Sequence, residues 1–183
     1  MSGAPQIRVP ALAALIAQLR DTQFLPPAEI EARQLQCLVR LAAHCATHSP
    51  NFAARLKRAN LTPGDLAHRA GLSQLAVLTR RALQTAADLY CDQIPAGHGP
   101  VNETKTSGST GEPVVVRRTG ATNLMWLALT MREHLWWRRD FSKRMCAIRA
   151  NVAAYTHLED WGPPASLLCT TGPASHHQQS IGP

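Results

Sequence analysis

Lys105-Thr106-Ser107-Gly108-Ser109-Thr110-Gly111-Glu112-Pro113-Val114-Val115-Val116 is the stretch at which this sequence changes character. Upstream, the first 95 residues are rich in Ala, Leu, Arg and Gln and are punctuated at Pro26-Pro27, Ser49-Pro50 and Thr62-Pro63-Gly64, the pattern of three or four helices. From Gly97 onward Gly, Pro, Thr and Ser take over, and the β-branched run Val114 to Val116, too short for a helix, begins a strand. Within the stretch, Thr106, Ser107, Ser109 and Thr110 supply hydroxyls, while Gly108 and Gly111 let the backbone approach a ligand closely. Successive N–H groups in such a loop can converge on one anion, and the hydroxyls add donors at little bulk. The glycines are three apart and no Lys follows Gly111, so the pattern is not the Walker loop. A plain Ser/Gly connector has the same composition.

Outward from the loop, apolar periodicity places the larger elements. Ile30, Leu35, Leu38, Val39, Leu41, Ala42 and Cys45 recur at threes and fours and predict an amphipathic helix from about Ala28 to Thr47. Leu124, Leu127, Met131, Leu135 and Trp136 predict another over Gly120 to Arg139, followed by a short strand at Met145 to Ile148. Helices, then strand, loop, strand, helix and strand, imply an α/β fold with a helical preface. The division expected is a helical segment over 1–95 and an incomplete α/β portion over 96–183, both parts of one larger domain. Residues 161 to 183 carry no Lys, Arg, Asp or Glu, and a fold of this kind continues with further strand and helix units, so the chain is expected to break off inside its fold.

Composition narrows the class. With 45% hydrophobic and 17% charged residues, the 183-residue chain can bury a core and is not of the disordered type. Its formal charge of +7 favours phosphate-bearing partners without choosing between nucleotides and nucleic acids. Cys37, Cys45, Cys91, Cys146 and Cys169 are odd in number and contain no CxxC pair, which argues against a disulfide framework or a zinc ribbon and for a reducing interior. The apolar stretch Val9 to Ala17 runs into Gln18, Leu19, Arg20 and Asp21 at helical spacing rather than into a cleavage region. No run of about 20 apolar residues could span a bilayer. The expected location is the cytoplasm, with no membrane partner.

The order of residues in the loop carries a further implication. Thr106-Ser107-Gly108-Ser109-Thr110-Gly111-Glu112-Pro113 resembles the phosphate-loop signature of the adenylate-forming enzymes, the acyl-CoA synthetase and luciferase superfamily. Its flanks resemble the branch of phenylacetate-CoA ligases and coenzyme F390 synthetases. A helix ending in His44 to Pro50 followed by Asn51-Phe52 and Arg55-Leu56 is similar to one segment of that branch, and Leu75 to Leu83 looks like another, with Ala76 where Pro is usual. The likeness covers roughly residues 35 to 140. Val114 stands where many superfamily members have Lys, a Lys the branch often lacks. The resemblance implies activation of a small organic acid by ATP with Mg²⁺, release of pyrophosphate, and transfer of the acyl group to a thiol such as coenzyme A.

By resemblance, Thr106, Ser107, Ser109 and Thr110 offer hydroxyls to the β and γ phosphates, Gly108 and Gly111 allow close backbone approach, Glu112 belongs to the same loop, and Lys105 adds a nearby positive charge. The family's acidic motif, ribose-binding Asp and small C-terminal domain with its catalytic Lys lie outside these residues. The sequence therefore reads as the N-terminal portion of a ligase, inactive alone, with no catalytic residue assigned. A non-catalytic, degenerate relative of the ligases is an alternative reading, and the acid, the thiol acceptor and the oligomeric state stay open.

Other constellations suggest other chemistry. Residues 64 to 83 read like a DNA-binding helix-turn-helix, with Ala67 as the small packing residue, Gly71 at the turn and Leu72 and Val77 in the core. The ligase-like alignment accounts for the same letters, and no nucleic acid is expected as partner. His44 and His48, four apart near Cys37 and Cys45, lack the second pair that a zinc site needs, and no metal ligand is assigned. His134, Trp136, Trp137, Arg138 and Arg139 could face a base or an acyl group, or could pack and snorkel.

Overall fold

The computed structural model describes residues 9–86, 88–106, 112–149 and 155–178. In chain order the elements are α1 (Val9–Thr22), α2 (Pro27–His48), α3 (Pro50–Arg58), a 3-10 turn (Pro63–Ala67), α4 (Arg69–Gln74), α5 (Arg80–Thr85), β1 (Val101–Lys105), β2 (Val115–Thr119), α6 (Gly120–Trp136), β3 (Met145–Arg149), β4 (Thr156–Leu158), a second 3-10 turn (Ala165–Leu167) and β5 (Ala174–Gln178). With about 52% helix and 13% strand the protein is a mixed α/β structure in which helices predominate. The change from helices to strands comes after residue 95, whereas packing divides the chain into two compact units, Thr22–Thr122 and Met1–Asp21 with Asn123–Pro183. No helix among the described residues is long and apolar enough to cross a membrane.

In the Thr22–Thr122 unit the prolines set the helix bounds. Pro27 opens α2, where its missing N–H costs nothing, and Glu29 pairs with Arg33 one turn on at 2.8 Å. Ser49 ends α2 ahead of Pro50 and caps α3, its Oγ accepting the Phe52 N–H at 3.4 Å. Thr62 and Asp65 form a capping box on the first 3-10 turn. The core gathers Ala42, Leu56 and Leu66, with Leu38, Ala46, Phe52, Leu61 and Leu75 against them. The apolar stripe of α2 is narrower than its sequence suggests, because Leu41 is 59% exposed. The covered part of α2 includes Leu38, Ala42 and Ala46, which pack with Leu56 and Leu66.

The second unit packs α1 on α6 through Leu12, Leu127 and Ala128, with Met131, Trp161, Ala165 and Ala174 forming an adjoining core. Its sheet runs β3-β5-β4, with β5 parallel to β3 and antiparallel to β4, so the central strand buries Ala174 and Ser175. Trp161 is fixed by its indole N–H, which donates to the Lys143 carbonyl at 2.8 Å. Fully burying a side chain such as Leu12 or Leu66 contributes about 2 kcal/mol relative to exposure.

Candidate functional site

The chemistry-bearing loop connects two antiparallel strands. β1 and β2 pair from Val101 with Thr119 to Lys105 with Val115. Beyond that last pair, Thr106 closes the stem twice: its N–H donates to the Val114 carbonyl at 2.9 Å, and its Oγ1 accepts the Val114 N–H at 2.9 Å. Accepting that bond does not use the hydroxyl's own proton. Thr106, Glu112 and Pro113 are exposed, so both flanks of the loop meet solvent. Ser107, Gly108, Ser109, Thr110 and Gly111 lie outside the described residues.

The exit of the loop is held by α5. Thr79 caps that helix, accepting the Ala82 N–H at 3.2 Å. Arg80 and Gln84, one helical turn apart and so on one face, both donate to the Glu112 carbonyl, Arg80 at 3.3 Å. Two donors on one main-chain oxygen fix where the chain leaves the loop, and the Arg80 guanidinium adds a cation beside it. Lys105 is exposed at the end of β1, on the same face of the hairpin as Glu103 and Arg117. Arg117 pairs with Glu103 at 3.1 Å and lies 4.2 Å over the Tyr90 ring, and the Tyr90 hydroxyl donates to the Val115 carbonyl at 2.9 Å.

The two flanking segments singled out in the sequence meet each other. The Arg55 guanidinium donates to the Ala76 carbonyl, and Leu56 and Leu75 share the core of the unit. Asn51, Arg55, Arg58, Gln74 and Ala82 line an open cleft of about 500 Å³. Ala82 looks into this cleft, whereas Arg80 and Gln84 reach from α5 to the hairpin. Sequence reasoning missed Arg80, Gln84 and Tyr90 as supports of the loop. The Thr79 cap and the four-residue spacing were a usable signal for the first two, and nothing local marks Tyr90.

Residues 64 to 83 take a different form from a helix-turn-helix. Gly71 lies inside α4 instead of at a turn, α4 and α5 are six residues each, and Val77 is 88% exposed instead of in a core. The buried position near Gly71 is taken by Leu66, from the preceding 3-10 turn. The His44 and His48 rings lie 4.6 Å apart, and His48 Nδ1 is 2.9 Å from the Asp92 carboxylate. Among the described residues no group of three or more His, Cys, Asp or Glu side chains could hold a metal ion.

At the end of α6, His134 belongs to the core, while Trp136 and Trp137 are exposed. The His134 ring stands edge-on to Phe141 and Trp161, and its Nδ1 accepts a hydrogen bond from Arg139 at 2.8 Å. Burial, and next the Arg139 cation, hold its pKa below the usual histidine value. The unfolded chain therefore takes up a proton before the folded one as pH falls. The stability that the neutral ring contributes is complete above about pH 6.5 and is lost progressively below it. Asp65 and Asp140, lowered mainly by the hydroxyls of Thr62 and Ser142, act in a separate window below about pH 4. The thermal midpoint should fall between pH 7 and pH 5, and His134→Gln should flatten that fall; an equal slope in both proteins would remove His134 as its source.

No family model matches this sequence, and no curated protein matches it.

Proposed function

We propose that residues 106–113 form the phosphate-binding loop of an adenylate-forming ligase of the phenylacetate-CoA ligase type, and that this chain carries the nucleotide-gripping part of that enzyme. The observation that carries the proposal is the residue order Thr-Ser-Gly-Ser-Thr-Gly-Glu-Pro between two paired strands. Support comes from the anchoring of the loop's two ends by Thr106 and by Arg80 with Gln84. The contact between the Arg55-Leu56 and Leu75-Ala76 segments adds to it, since both flank the loop in the same resemblance.

The donor chemistry suits a triphosphate. Hydroxyls and main-chain N–H groups meet the phosphate oxygens, Lys105 and Arg80 add positive charge, and donors placed in advance stabilise charge that grows on departing pyrophosphate. A Mg²⁺ ion held mostly by phosphates and water needs only one or two carboxylates, and Glu112 is the carboxylate within the loop. An organic acid is the proposed substrate and coenzyme A a possible acceptor.

These 183 residues by themselves are expected to bind the nucleotide without activating an acid, because phosphate donors alone cannot orient a carboxylate for attack. The test is an ATP–pyrophosphate exchange assay with a panel of aryl and alkyl acids, run beside competition binding. No carboxylate-dependent exchange is expected, and pyrophosphate should displace ATP. Exchange above background would overturn the expected inactivity. ATP binding indifferent to pyrophosphate would overturn the loop assignment.

A further inference from the structure

Cys45 and Cys91 are far apart in sequence and adjacent in the Thr22–Thr122 unit. The segment Asp88–Asp92 is strapped across the junction of α2 and α3 by a row of bonds. The Asp92 N–H donates to the His48 carbonyl at 2.8 Å, and the Asp92 carboxylate meets His48 Nδ1 at 2.9 Å. Ser49 Oγ donates to the Leu89 carbonyl at 3.1 Å, and Asn51 Nδ2 to the Asp88 carboxylate at 3.2 Å. Cys91 thus lies against the last turn of α2, where Cys45, three residues before His48, faces the same side. Cys91 is close enough to Cys45 to raise its pKa, both side chains are half-buried, and neither is in a disulfide.

We propose that Cys45 and Cys91 form a reversible disulfide, a thiol-oxidation site that ties α2 to the strap carrying Tyr90. The bond would link the end of α2 to the residue next to Tyr90, whose hydroxyl holds β2 at Val115. The inference is independent of what the loop binds.

Burial, and next the neighbouring Cys91, push the Cys45 thiol up to about 11, so little of Cys45 is thiolate at neutral pH. With a disulfide oxidant such as oxidised glutathione, the Cys91 thiolate attacks one glutathione sulfur and expels the first glutathione thiolate. Cys45, having lost its proton to solvent, then attacks the Cys91 sulfur and expels the second. Two protein thiols become one disulfide, and the two electrons reside on two reduced glutathione molecules. In a reducing compartment such a bond is transient, as expected of a redox-sensing pair rather than a structural one.

The test uses the full chain equilibrated in mixtures of reduced and oxidised glutathione, quenched with acid, alkylated and mapped by mass spectrometry, with and without denaturing urea. In the folded protein a peptide linking Cys45 to Cys91 is expected while Cys37, Cys146 and Cys169 remain alkylated. The ratio of linked to reduced pair should drop by about tenfold or more in urea, because folding brings the ends of a long loop together. Cys45→Ser should leave Cys91 trapped as a mixed disulfide with glutathione. A ratio unchanged by urea, or Cys91 accumulating as the mixed disulfide while Cys45 is intact, would overturn the proposal.

Discussion

Gly71→Ala is expected to cost the Thr22–Thr122 unit on the order of 3 kcal/mol, lowering its thermal midpoint by roughly 12 to 24 °C. Gly71 is buried in α4, and a methyl group there would stand 2.1 Å from the Asp65 carbonyl oxygen and 2.8 Å from its carbon. Helix propensity pulls the other way, since alanine in a helix interior is favoured over glycine by about 1 kcal/mol. The clash prevails because its partner is backbone. Asp65 is bonded to Thr62 within the turn, and the next residue, Leu66, is 1% exposed in the core, so neither can retreat without dismantling the packing on α2. Gly64→Ala is the control: its added carbon would meet only the Thr62 hydroxyl, at an ordinary 3.6 Å. Thermal unfolding of the two variants measures the difference. Equal midpoints would mean that the close approach of α4 to the 3-10 turn is wrong.

The second large effect concerns the loop. Ser109→Ala combined with Thr110→Val should weaken Mg-ATP binding by about 100-fold or more, because each hydroxyl lost to a charged partner costs about 1.5 to 3 kcal/mol. Fold stability should change little, since the hairpin is supported, among the described residues, by Thr106 on Val114, Arg80 and Gln84 on Glu112, and Tyr90 on Val115. Calorimetric titration reads the affinity, and thermal unfolding of the same samples reads the fold. Unaltered affinity would show that these hydroxyls do not touch the nucleotide, and an unfolded variant would contradict the assignment of the hairpin's support to Thr106, Glu112 and Tyr90.

Legibility of the fold followed the range of the interactions involved. α2 could be read because Pro26, Pro27, Ser49 and Pro50 act on their own neighbours, and α6 and β3 because their apolar patterns are local. β1 could not be bounded from Val-Asn-Glu-Thr-Lys, whose five residues are all exposed; it is a strand because β2 supplies its partners. The exposure of Leu41 and Leu135 was hidden for a similar reason, since periodicity reports an apolar face and not whether anything covers it. His134 reads as a polar residue at a helix end, yet Phe141 and Trp161 from later in the chain enclose it. At the candidate site the residue order of the loop proposes its donors, whereas the strap at Tyr90 and the nearness of Cys45 to Cys91 depend on chain segments tens of residues apart.

The most direct measurement is a titration of the ¹⁵N-labelled protein with Mg-ATP, following the backbone amides of residues 106 to 112. Saturable shifts concentrated on those amides, reproduced by inorganic pyrophosphate, are the result expected of a loop that grips the phosphate tail. Amides that stay in place at saturating nucleotide, or shifts confined to the cleft at Arg55 and Arg58, would contradict it.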